Sequence, residues 1–231
     1  FQNKDARLAM KLALDREEFV NTILRGHGMM GNDHPIGPSQ RFYNPNLPQR
    51  RFDPDKARHY IKKSGLQDQT FKLHVADPGF PGSVDAAVLY KENAKKAGIN
   101  IEVVQEPNDG YWSNVWMKKT WCSVFWGGRP TCDWMFSTVY KGGAPWNDAK
   151  WQNERFDTLL AEARSELDQA KRREMYYEMQ SIVRDDGGTV VLAFVDDLMA
   201  VDKGLAHDEV ASCWELDGWK IAERWWFTDP A

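Results

Sequence analysis

Apolar positions recur at helical spacing from the start of the chain. In NKDARLAMKLAL (3–14), Leu8 with Leu12 and Ala9 with Ala13 share faces. Asp15 caps a second helix, REEFVNTILRG, with Glu18 at the third position after it and Gly26 at its end. Residues 27–52 then lose all periodicity and carry four Pro. So long an irregular loop inside a compact domain points to a functional role. Asp53-Pro54 starts a third helix, Asp as cap and Pro in its first turn, which ends at Gly65.

The period then switches to two. Phe71, Leu73 and Val75 alternate in a half-buried strand (70–76). An amphipathic helix (83–97) and a second strand, INIEVVQE (99–106), follow. A crossover of this length predicts a right-handed βαβ unit and a parallel strand pair. Asp109 caps a short helix carrying Tyr111, Trp112, Val115 and Trp116. The stretch WCSVFWGGRPTCDWMFSTVY (121–140) opens as a third strand, with Cys122, Val124 and Trp126 alternating with Ser123 and Phe125. It breaks at Gly127-Gly128, turns through Arg129-Pro130-Thr131, and restarts as a helix leading with Trp134, for which Thr131 or Asp133 is the cap. Two long helices follow, separated at Asp168, with apolar stripes Phe156, Leu159, Leu160, Ala163 and Met175, Tyr176, Met179, Ile182, Val183. Residues 189–195 read as an apolar strand pairing with 198–203 across Asp196-Asp197, and the aromatic tail Trp225-Trp226-Phe227 is expected to be packed.

At 231 residues the chain forms one large domain or two small ones. Its 42% hydrophobic and 28% charged residues are those of a globular protein. A net charge of −4 without a basic stripe argues against nucleic acid as a partner. No apolar run reaches the ~18 residues of a membrane span. The first residues are already helical in pattern and show no signal peptide, which predicts a fragment or a processed piece. Cys122, Cys132 and Cys213 fit either one bridge plus a free thiol or three free thiols. The departure from average usage is 11 Trp, whose large, stiff side chains suit a binding cleft as well as a core.

No GxSxG, HExxH, GxxxxGK or GxGxxG pattern occurs. Asp185-Asp186 and Asp196-Asp197 read as element ends rather than metal ligands. The weight therefore falls on a binder without cofactor or metal. The candidate ligand contacts are Trp126, Gly127, Gly128, Arg129, Asp133, Trp134 and Trp112, with His34 in the long loop either a contact or simply solvated. Gly-Gly lets backbone approach a ligand, and Arg129 adds five fixed donors beside aromatic rings.

The ordered segments F-x-N-K-D-A-R-L-A-M-K-L-A-L-D-R-E-E (1–18), G-x-G (26–28), F-D-P-D-K-A-R…S-G (52–65), K-A-G-I-N-I-E (96–102), W-G-x-x-P-x-x-D (126–133), N-E-R-F-D-T-L-L (153–160) and R-R-E-M-Y-Y-E-M-Q (172–180) span nearly the whole chain. Together they resemble the C-terminal half of the family 5 extracellular solute-binding proteins, the periplasmic peptide, nickel and opine receptors of ABC importers. The resemblance implies an α/β, periplasmic-binding-protein-like lobe, a mixed sheet flanked by helices. Residues 1–188 would be the ligand-binding lobe and 189–231 a segment returning towards a first lobe whose main body is missing here. It also implies capture of a small-molecule solute in the periplasm and delivery to an ABC transporter membrane permease, without turnover. In the peptide-binding members an acidic residue three positions after the strand's Trp holds the peptide's α-amino group. Counting from Trp126 lands on Arg129, which favours an anionic group instead, with Asp133 as a substitute acid or a helix cap. Two other readings stay open: a hydrolase or transferase using acidic residues of the 27–52 loop, and a Trp-rich protein-interaction module.

Overall fold

Short polar side chains start most of the helices by accepting the first free backbone N–H groups. Asn3 accepts from Ala6 at the head of α1 (Lys4–Leu12), and Asp15 from Glu17 and Glu18 at α2 (Arg16–Thr22). The computed structural model describes residues 2–228; Phe1, which opens the first resemblance segment, and Asp229-Pro230 of the tail lie outside the described residues. A short strand β1 (Gly28–Met30) follows, then a mostly irregular run to α3 (Pro54–Lys63), which Asp53 caps. Next come β2 (Thr70–Val75), α4 (Ser83–Lys96) and β3 (Asn100–Gln105), and β2 pairs with β3 in parallel, Thr70 opposite Asn100, as the crossover predicts. A single turn α5 (Tyr111–Asn114) leads to α6 (Cys132–Met135), which runs on as a π-helical turn over Phe136–Tyr140. The two long helices are α7 (Glu154–Ser165), capped by Asn153, and α8 (Gln169–Asp186), capped by Asp168. Strands β4 (Ala193–Val195), β5 (Leu205–His207) and β6 (Trp225–Phe227) complete the chain, with helical turns over Glu215–Trp219 and Ile221–Arg224 before β6. The lobe is α/β with mixed strand sense, its strands distributed over three two-stranded sheets.

Four sequence expectations differ from this arrangement. The short helix at 111 starts from Gly110, whose φ of +72° turns the chain, and not from an Asp109 cap. The expected third strand is one parallel bridge: His74 donates its N–H to Trp121 O (3.0 Å) and accepts from Ser123 N (3.0 Å). It goes no further because the Tyr111 hydroxyl takes the Ser123 carbonyl (2.8 Å). Residues 193–195 pair with β1, antiparallel, and not with 198–203. The close approach depends on Gly28 and Gly31, where a Cβ would collide with the carbonyls of Phe194 and Val191. Finally, the tail is only partly covered. Trp225 stacks on His207 (4.3 Å) and donates to Asp217 (3.0 Å), whereas Phe227 is 84% exposed.

Two small apolar cores and two large ones result among the described residues. One gathers Ala9, Leu14, Ile61, Val75, Ala94 and Ile101 between α1, α3, α4 and the parallel pair. The other gathers Ile36, Phe136, Phe156, Leu160, Met179 and Val183 around α7 and α8. Charge joins them. Lys11 donates to the Arg184 carbonyl (3.0 Å), and Arg7 to the Asp186 carbonyl and carboxylate (2.9 and 2.8 Å), at the negative end of α8. Burial pushes the Lys11 ammonium down to about 8. Beside it, the fully buried Asp33 takes ion pairs from Arg16 (2.6 Å) and Arg50 (2.8 Å). Asp33 also accepts from the Val191 N–H (3.1 Å), while Arg16 donates to the Val191 carbonyl (2.9 Å).

His34, next to this network, is 1% exposed, and its Nδ1 has no hydrogen-bond partner among the described residues. Burial holds the ring down to about 4, against the opposing pull of Asp33. The unfolded ring takes its proton near 6.5, so between about pH 6.5 and 4 the unfolded chain holds more protons. His34 therefore contributes stability that is present above that window and is lost as acid is added through it. Unfolding free energies from urea titrations across this range should fall by up to about 1.4 kcal/mol per pH unit more in the wild type than in His34→Gln. Equal slopes would remove His34 as the cause.

Candidate functional site

The turn that the sequence singles out is built from both sides. The Thr131 hydroxyl, not Asp133, caps α6 by accepting the Trp134 N–H (3.2 Å). Phe136, fully buried against Phe156 (5.2 Å), anchors the end of that helix. From the long 27–52 loop, Gln40 donates its side-chain amide to the Arg129 carbonyl (2.9 Å). Arg129 folds back so that Nη1 donates to the Gly127 carbonyl (2.7 Å). Its guanidinium then sits between two indoles, 5.8 Å from the Trp126 ring and 5.9 Å from the Trp134 ring. No carboxylate among the described residues lies within ion-pair distance of it.

This guanidinium faces an open hollow of about 670 Å³. Trp134, Ser137 and Thr138 line one side, Pro145 and Trp146 another, and Trp214 and Trp219 a third. Ring contacts tie these walls together: Trp126 to Trp146 (5.9 Å), Trp134 to Trp214 (5.7 Å), and Trp214 stacked on Trp219 (4.6 Å). Behind them, Asp148 accepts from the indole N–H of both Trp116 (3.1 Å) and Trp126 (3.3 Å). Burial pushes the Asp148 carboxyl above its usual range, and the two indole donors oppose that push. Ser137 is tied to Asp133 and Arg164, so the hollow offers aromatic surface, the Thr138 hydroxyl and one positive charge, which is chemistry for holding a ligand.

The eight candidate residues fall in different places. Arg129 and Trp134 line the hollow, and Trp126 with Gly127 supports the guanidinium. Gly128 lies against Cys213. Asp133 is held by Arg164 through both carboxylate oxygens (2.8 and 3.1 Å). Trp112, 42% exposed, packs on Phe125 and Trp116 outside the lining. His34 is neither solvated nor in the hollow, because it is buried beside Tyr43. Trp146, Trp214, Trp219, Ser137 and Thr138 were missed, and the excess of Trp was the only signal for them. The three Cys are free thiols, so the single-bridge alternative is not formed. Among the described residues no cluster of three or more His, Cys, Asp or Glu could hold a metal, and no helix is long and apolar enough to cross a membrane.

Comparison with known proteins gives a consistent picture. Residues 1–148 match the family model for bacterial extracellular solute-binding proteins, family 5 Middle. The chain is 24% identical over 202 residues to the dipeptide-binding protein of Escherichia coli (strain K12), covering 81% of this chain and 36% of that one. Its fold is similar to that of the oligopeptide-binding protein AppA from Bacillus subtilis in complex with a nonapeptide, with a TM-score of 0.78 at 21% identity over 99% of this chain and 48% of that one. It is also similar to NikZ from Campylobacter jejuni in complex with Ni(L-His), with a TM-score of 0.73 at 18% identity over 83% of this chain and 41% of that one. The chain therefore spans less than half the length of these proteins.

Proposed function

The chain belongs to the bacterial extracellular solute-binding proteins, family 5, and from that membership we propose that it is the solute-capturing part of an ABC-importer receptor. In this reading it binds a small polar solute in the periplasm and delivers it to a membrane permease without chemical turnover. Residues 1–188 form the ligand lobe, and 189–231 lead back towards a first lobe, with β4 anchoring that segment on β1. Exposed Leu198, Trp226 and Phe227 on the returning segment support a further covering body. Capture works by closure: contacts to the solute from two walls favour the closed state.

One observation carries the ligand assignment. Arg129 holds an unpaired guanidinium between Trp126 and Trp134 at the mouth of the hollow. A cation placed there favours a carboxylate-bearing solute. A hydrogen bond to a charged group contributes about 1.5–3 kcal/mol, so Arg129→Ala should weaken such a solute by about 10–100-fold in calorimetric titration. Arg129→Lys should recover part of that loss, since it keeps the charge and loses the planar fork. Unchanged affinity for every anionic solute in Arg129→Ala would remove the charge assignment. Conversion of the solute during titration would favour the hydrolase or transferase reading.

A further inference from the structure

The walls around Arg129 say more about the solute than its charge. Trp134, Trp146 and Trp219 are 46%, 49% and 64% exposed, so three indoles leave about half their surface open around one cation. Flat apolar surface of this kind is best covered by another flat ring, which adds stacking to area burial. The counter-charge is single. One of the five Arg129 N–H donors is engaged by Gly127, and no second Lys or Arg lines the hollow. A monoanion matches that charge, whereas a phosphate dianion would be left half compensated on burial. No Asp or Glu lines the hollow itself, and Glu215, which has no ion pair among the described residues, accepts the Trp219 indole N–H (3.1 Å). Asp133 is ion-paired to Arg164 and Asp148 is closed off behind the indoles of Trp116 and Trp126. The Thr138 hydroxyl, with no protein partner among the described residues, is left for one further polar group.

We infer that the solute selected here is a monocarboxylate carried on a flat, ring-bearing body. The inference rests on the solute-capture reading above. It is tested by calorimetric titration of the 231-residue chain with indole-3-acetate, its amide, butanoate, tryptamine and alanyl-alanine. Indole-3-acetate should bind at least about tenfold more tightly than the amide, butanoate or tryptamine. Trp146→Ala should reduce affinity for indole-3-acetate several-fold while leaving butanoate unchanged. Trp219→Ala, at an exposed ring, serves if the first variant fails to fold. Butanoate, tryptamine or alanyl-alanine binding as tightly as indole-3-acetate would overturn the ring-carboxylate inference and leave solute capture standing. Silence from all five would overturn the ring-carboxylate inference at this wall and leave solute capture by the two walls together standing.

Discussion

Asp33→Ala is expected to destabilise the protein by about 3–5 kcal/mol, the usual cost of removing one partner from a buried charge group. The carboxylate is 0% exposed, and the Arg16 and Arg50 guanidinia that pair with it are 2% and 8% exposed. Its loss leaves the buried Arg16 with no carboxylate partner among the described residues and Arg50 with Asp185 alone (2.9 Å). It also frees the Val191 N–H, which Asp33 accepts, and so loosens the entry to β4. A second, smaller penalty is local: Asp33 has φ +60°, a region that Ala tolerates poorly and Asn tolerates well. Asp33→Asn separates the two contributions, because it keeps size and backbone tolerance and removes the charge together with one acceptor oxygen. Urea unfolding should show Asn retaining the larger part of the loss. A wild-type midpoint in Asp33→Ala would mean that the two guanidinia are satisfied elsewhere.

Phe136→Ala should cost a similar amount, about 3–5 kcal/mol, by leaving a cavity in the second core. Its ring is fully buried, edge-on to Phe156 at 5.2 Å and nearly parallel to Tyr176 at 6.4 Å. It thus fastens the π-helical turn to α7 and α8 together. The same turn carries Ser137 and Thr138 into the hollow, so the damage should spread to the site. Hydrogen exchange of amides 134–140 should quicken in Phe136→Ala by more than in the rest of the core. Phe136→Leu, which keeps most of the volume, should lose less than about 1.5 kcal/mol. Equal losses for the two variants would show that the cavity is not the cause.

The helices and the parallel pair were legible in sequence because each is specified within its own segment. Asp15, Asp53-Pro54 and Asp168 announce helix starts, and Phe71, Leu73 and Val75 announce a face. What escaped was decided across distance. The partner of residues 193–195 lies in a Pro-rich loop some 165 positions earlier, where only Gly28 and Gly31 permit the approach. The strand expected after Trp121 stops because a tyrosine hydroxyl from α5 takes the next carbonyl. The site divides the same way. Arg129 and Trp134 were readable from a break and a restart in pattern, whereas Trp146 and the pair Trp214 and Trp219 reach the hollow from two distant turns that nothing local brings together. His34 looked like a loop residue because its burial comes from a neighbouring charge network rather than from its own segment.

That network fixes an order of events in the cell. Arg7, Lys11 and Arg16 find their acceptors at Val183, Arg184, Asp186 and Val191. At ribosomal speeds of about 5–20 residues per second, on the order of 10 s separates the appearance of those side chains from that of these acceptors. Throughout that interval Arg7 and Lys11 of α1 lack the acceptors at the end of α8. The lobe can close only when its last quarter has been made.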